Sequence, residues 1–142
     1  MNDEIKYESV VVNFAASDIQ ATVDFFVRIL GFGEYEEMRT PDLAGMWGGD
    51  IFILISSRPD GEDRTYPQEV QIFVEEIDKV HDTHRKNGAK IVEEITTMPW
   101  GIRRYTIEAP DGYTLVISET VEEWTSPPKS EPDFSNAPSS RP

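Results

Sequence analysis

The chain has 142 residues, 38% hydrophobic and 28% charged, which is enough for one domain with an apolar core and too little for two. It holds no cysteine, so disulfides, thiolate metal sites and cysteine nucleophiles are excluded. Thirteen Lys and Arg against 27 Asp and Glu give a net charge of -14, a balance that repels nucleic acid and anionic membrane surfaces. The start of the chain, residues 1–7, is acidic and polar, and no apolar run approaches the roughly 20 residues needed to cross a bilayer. A cytoplasmic protein with no nucleic-acid or membrane partner is expected.

The first apolar stretch, residues 9–15, is β-branched and reads as a strand. Ser17 and Asp18 then supply a helix cap, and Val23, Phe26, Val27 and Leu30 recur at helical spacing until Gly31 stops the helix. Three extended stretches follow, at 34–39, 44–48 and 51–57, separated by turn signals at Pro41-Asp42 and Gly48-Gly49-Asp50. The order is βαβββ.

After a polar loop with Pro59-Asp60-Gly61, the same order begins again. A strand at 69–74 leads to a helix at 77–87 stopped by Gly88, then strands at 90–95, 103–108 and 113–119, the last two joined by Pro110-Asp111-Gly112. Ile19 and Ile77 open the two helices, and Gly31 and Gly88 close them, as an internal duplication would place them. One domain is expected over 1–123, with modules at about 8–58 and 66–119. Residues 124–142 are rich in Pro and Ser and read as a flexible tail, with Trp124 and Phe134 its large apolar residues.

Residues 16–32 (A-S-D-I-Q-A-T-V-D-F-F-V-R-I-L-G-F) and 98–119 (M-P-W-G-I-R-R-Y-T-I-E-A-P-D-G-Y-T-L-V-I-S-E) resemble the vicinal oxygen chelate superfamily. That group includes glyoxalase I, fosfomycin-resistance enzymes, extradiol dioxygenases and bleomycin-resistance proteins. The resemblance implies an α+β fold in which two βαβββ modules form a cup-shaped, mostly antiparallel eight-stranded sheet with the helices outside. It also implies a homodimer, and metal ligands projecting into the cup from three or four strands.

Strand alternation assigns the facings. Val10, Val12 and Phe14 pack under the helix, while Val11, Asn13 and Ala15 look into the cup; Glu69, Gln71 and Phe73 face the cup, and Val70, Ile72 and Val74 are buried. The family's first ligand then falls on Val11, its second on Glu69 and its last on Val116, and the strand at 51–55 carries no His, its nearest carboxylate being Asp50 in a turn. Isopropyl groups cannot coordinate a divalent ion, so no catalytic metal and no cofactor are expected in that position. His81 and His84 continue the stripe of Ile77 and Val80 and are read as structural histidines away from the cup; Glu75, Glu76 and Asp18 are read as helix-start charges.

The remaining candidates are ligand contacts. Trp47, Trp100, Phe73 and Tyr66 are aromatic walls for a planar or cationic guest, with core or dimer contacts as the alternative for Trp47 and Trp100. Arg103 either pairs with Glu69, holds an anionic substrate group or forms an internal ion pair. Two functional readings follow. The first is a metal-free binding or sequestering protein of the bleomycin-resistance type, taking an aromatic or cationic small molecule on Asn13, Trp47, Glu69, Gln71, Phe73, Trp100 and Arg103. The second is a lyase, isomerase or dioxygenase of the same superfamily, with a displaced metal site or with Glu69 as general base.

Overall fold

The structure is a computed structural model that describes residues 5–58 and 68–122; Tyr66 and the tail at 124–142, with Trp124 and Phe134, lie outside the described residues. The first module runs β1 (Val12–Ala16), α1 (Ile19–Asp24) continued by a π-helical turn (Phe25–Ile29), β2 (Gly33–Glu34), β3 (Leu43–Gly48) and β4 (Ile51–Ser57). The second runs β5 (Gln68–Phe73), α2 (Ile77–Lys86), β6 (Ile91–Thr97), β7 (Ile102–Glu108) and β8 (Tyr113–Thr120). Each module folds its own four-stranded sheet, in the orders β1-β4-β3-β2 and β5-β8-β7-β6. β1 lies parallel to β4 and β5 parallel to β8, and the other pairs are antiparallel, so the two sheets share one topology. No helix among the described residues is long and apolar enough to cross a membrane.

The apolar faces of both sheets join one core. Phe14, Phe26, Ile53, Ile55, Ile72, Ile77, Tyr105, Ile107, Leu115 and Ile117 are all buried in it. Phe26 sits among Phe14, Phe25 and Phe32 at ring-centroid distances of 5.2, 5.6 and 5.3 Å. A side chain of that kind contributes about 2 kcal/mol through burial alone.

Local signals explain the helix ends. Asp18 accepts a hydrogen bond from the Ala21 amide at 3.0 Å, and Gly31 (φ 81°) and Gly88 (φ 97°) end the helices in the left-handed region that favours glycine. The start of α2 is built differently. Glu76 takes a left-handed φ of 57° and makes no side-chain cap; the carboxylate of Glu119 on β8 accepts instead from the Glu76 amide (3.1 Å) and the Ile77 amide (2.9 Å). Of the helix-start acids, only Asp18 caps its own helix.

Three expectations are corrected. Val10 is 88% exposed and precedes the first paired residue, Val12, so only Val12 and Phe14 pack on the core side. Val27 is exposed, because the wide π turn inserts extra rotation that brings Phe25 onto the core and swings Val27 outward. The stretch 34–39 is not a strand beyond Glu34: residues Glu36–Met38 turn, and Arg39 folds back on Glu34 at 2.6 Å and also donates to Gln20.

The modules are clasped at three places. Asp111, left-handed at φ 62° in the Pro110-Asp111-Gly112 turn, accepts from the Ser17 amide at 3.1 Å and lies 3.7 Å from the Arg58 guanidinium. The Ala15 amide donates to the Tyr113 hydroxyl at 2.9 Å, and the Tyr113 ring lies 4.6 Å from Phe14. On the helix side, the Asn87 side-chain amide donates to the Ile29 carbonyl at 3.1 Å. These contacts leave a hollow between the helix ends.

Candidate functional site

Each sheet has a face turned away from the helices, and strand register fixes what lines it. In the second module, cross-strand rows run Glu69–Thr114–Glu108, Gln71–Val116–Thr106–Glu93 and Phe73–Ser118–Arg104–Thr96. Their partners one residue along, Ile72, Leu115, Ile117, Tyr105 and Ile107, belong to the core. Glu69, Gln71 and Phe73 are thus on the open face, as alternation required, and all three are exposed.

In the first module, Asn13, Leu54 and Gly45 form one row and Trp47 stands opposite Phe52. Asn13 accepts from the Ser56 hydroxyl at 2.6 Å. Trp47 lies so close over Gly33 that a Cβ there would come within 2.6 Å of the indole, and Tyr35 flanks both Trp47 (6.4 Å) and Phe52 (5.7 Å). Trp47, Tyr35 and Phe52 form an aromatic patch on this open face. Trp100, half exposed at the β6–β7 loop, has the Arg104 guanidinium 5.9 Å above its ring.

Arg103 is on the other side. It shares the odd-numbered register of Tyr105 and Ile107, and its guanidinium meets Asp78 on α2 at 2.9 Å and Thr97 Oγ1 at 3.0 Å. The Arg103 guanidinium holds the Asp78 carboxyl below its ordinary range. Of the three roles open to Arg103, the structure realises the internal ion pair, away from Glu69. Reading the alternation through β7 and β8 would have found this, and would have added Arg104, Thr106 and Ser118 to the open-face set. Thr106 donates to Glu93 at 2.7 Å, and the buried Ser118 hydroxyl has no hydrogen-bond partner among the described residues.

The metal implied by the sequence resemblance does not fit these donors. Val116 is 3% exposed and stands in register between Gln71 and Thr106, in the row beside Glu69. Val11 supplies a second isopropyl group just ahead of β1. Among the described residues no three His, Asp or Glu side chains gather as an ion would require. Glu69 alone remains.

A separate hollow lies elsewhere. A pocket of about 720 Å³ opens at the module seam, between the end of the π turn, the β3–β4 hairpin tip, the end of β5 and α2. Ile72, Ile117 and His84 are buried in its wall, and Glu75 and Asp50 are exposed at its edge. Of the open-face candidates only Phe73 touches it. His81 and His84 are buried as expected on the sheet-facing side of α2: the Tyr105 hydroxyl lies 2.7 Å from His84 Nδ1, and the His81 ring packs edge-on to Tyr105 at 4.7 Å. Burial, with a smaller contribution from His81, pushes the His84 pKa down, and burial holds the Tyr105 phenol well above its ordinary value.

Residues 9–117 match the family model described as Glyoxalase/Bleomycin resistance protein/Dioxygenase superfamily. A search of curated protein sequences found no match. Among solved structures, TioX from Micromonospora sp. ML1 is 22% identical over 80% of this chain and 99% of its own, with a TM-score of 0.67. A glyoxalase/bleomycin resistance protein/dioxygenase from Nocardioides is 17% identical over 90% and 93%, with a TM-score of 0.70. These two speak for the fold. The bleomycin-binding protein of bleomycin-producing Streptomyces verticillus, solved with copper(II)-bleomycin, is 25% identical over 84% of this chain and 100% of its own, with a TM-score of 0.64.

Proposed function

Because the chain belongs to the Glyoxalase/Bleomycin resistance protein/Dioxygenase superfamily, we propose that it binds and sequesters an aromatic or cationic small molecule on its open sheet faces, without a protein-held metal. The observation that carries this reading is the donor set. The resemblance puts the last-strand ligand at Val116, which stands in the open-face row of Gln71, and Glu69 is left as a single carboxylate. One fixed carboxylate gives an ion too few protein ligands, but it remains a good partner for a cationic guest. The likeness to a bleomycin-binding protein supports a small-molecule ligand.

Trp47 stacks the guest from the first module, Phe73 and Trp100 from the second, and Glu69, Gln71 and Asn13 supply polar contacts. Arg104, laid over Trp100, takes the place that the sequence had left to Arg103. The guest bridges two copies in a homodimer, which also covers the half-exposed Trp47, Tyr35 and Phe73. Nothing favours Glu69 as a general base: it is exposed to water, whereas proton abstraction at neutral pH calls for an apolar enclosure.

Titration of tryptophan fluorescence with bleomycin and with a simple aromatic cation, N-methylquinolinium, tests the proposal. Saturable quenching by either probe is expected from the native protein, lost in Trp47→Ala and weakened in Glu69→Gln. Equal, non-saturating quenching in all three proteins contradicts it.

A further inference from the structure

The pocket at the module seam has its own chemistry, and it lies on the helix side of both sheets rather than on their open faces. Hydrogen-bond accounting fixes what its wall presents. Tyr105 is fully buried, and its hydroxyl makes one hydrogen bond among the described residues, to His84 Nδ1. If Nδ1 carried the proton, the Tyr105 hydroxyl hydrogen would be left in the core without an acceptor, a loss that buried polar groups avoid. The phenol therefore donates to Nδ1, and the neutral imidazole carries its proton on Nε2. That Nε2–H has no acceptor among the described residues, although His84 is only 6% exposed. The residue lines the pocket, so the side chain that carries this unspent donor borders a space of about 720 Å³, within the range that small ligands occupy.

The other walls select the rest of the ligand. Phe32 and Phe73 offer ring faces or edges, Ile72 and Ile117 an apolar floor, and the carboxylates of Glu75 and Asp50 an acidic mouth. We propose that the seam pocket is a second ligand site, for an aromatic compound that offers a carbonyl-type acceptor to His84 Nε2–H and a cationic group to Glu75 and Asp50. It shares only Phe73 with the open-face candidates, and stands whether or not those faces bind a guest.

Procainamide has these three parts in sequence: an aryl ring, an amide carbonyl and a tertiary ammonium group. Benzamide has the first two alone. Titrating each into the isotope-labelled full chain, followed by NMR, separates the sites. The His84 ring protons and the methyl groups of Val80 and Ile117 are expected to shift saturably with both probes, while the Trp47 indole and the Gln71 amide stay put. Glu75→Gln should weaken procainamide about threefold and leave benzamide unchanged, since a partly exposed ion pair is worth that little. His84→Phe, if it folds, should weaken both about fivefold, the value of one neutral hydrogen bond. Shifts confined to Trp47 and Gln71, or no saturable shift in the native chain, overturn the proposal; so does a Glu75→Gln effect of equal size on both probes.

Discussion

Removing the Glu119 carboxylate tests the unusual way in which α2 is started. The helix has no cap of its own, since Glu76 is left-handed and its side chain pairs with Lys79 at 2.8 Å instead. Both first-turn amides in question, those of Glu76 and Ile77, donate to the two oxygens of Glu119. Losing an N-terminal cap costs about 1 kcal/mol, and losing a negative charge beside the positive end of the helix dipole costs about 0.3–1 kcal/mol more. Glu119→Ala should therefore destabilise the protein by about 1–2 kcal/mol, a fall in Tm of about 4–8 °C for a domain of this size. Glu119→Gln keeps an acceptor but no charge and should lose about half as much. Calorimetric melts of the full chain at neutral pH supply the numbers. An unchanged Tm in Glu119→Ala would refute the cross-strand cap, and equal losses in the two variants would refute the role of charge.

Asp111→Ala should cost about 2–3 kcal/mol by chemical denaturation, because it removes the acceptor for Ser17 and places a Cβ-bearing residue without local hydrogen bonding in the left-handed region; Asp111→Asn should cost less than half of that. For His84, the folded pKa lies below its ordinary value of 6.5, so the folded state binds fewer protons than the unfolded chain as pH falls below that value. Stability is full above pH 6.5 and declines toward the lowered folded pKa, with a slope of at most about 1.4 kcal/mol per pH unit from this residue. Urea midpoints measured from pH 7.5 downward should show the decline, and His84→Gln should flatten it. The Asp78 carboxyl, lowered by Arg103, adds its loss only near and below its ordinary value of 3.8, whereas the His84 decline begins at 6.5.

The βαβββ repeat was legible because its punctuation is local. Asp18, Gly31, Gly88, Gly49-Asp50 and Pro110-Asp111-Gly112 each act within a few residues of their place in the chain, and each marks the end of an element in the structure. The facings of β5 followed from strict alternation, as the buried Ile72 between exposed Gln71 and Phe73 shows. Errors arose where tertiary contacts overrode local pattern. Glu34 and Arg39 look like the ends of one strand, but their ion pair folds that stretch into a turn. Val10 looks like the start of β1, yet has no strand beside it. Roles that join distant segments left no trace in the sequence: Glu119 reads as a strand-end acid until α2 is placed beside it, and the seam pocket exists only once His84 and the β3–β4 hairpin tip meet.

Elemental analysis of the purified full chain, followed by titration with Zn²⁺, Ni²⁺ and Mn²⁺ before and after chelation, addresses the donor set itself. With isopropyl groups at Val11 and Val116 and a single carboxylate at Glu69, substoichiometric metal and no saturable uptake are expected. One tightly held equivalent of any of these ions, lost in Glu69→Gln, would contradict the metal-free reading and return the protein to the metal-dependent chemistry of its superfamily.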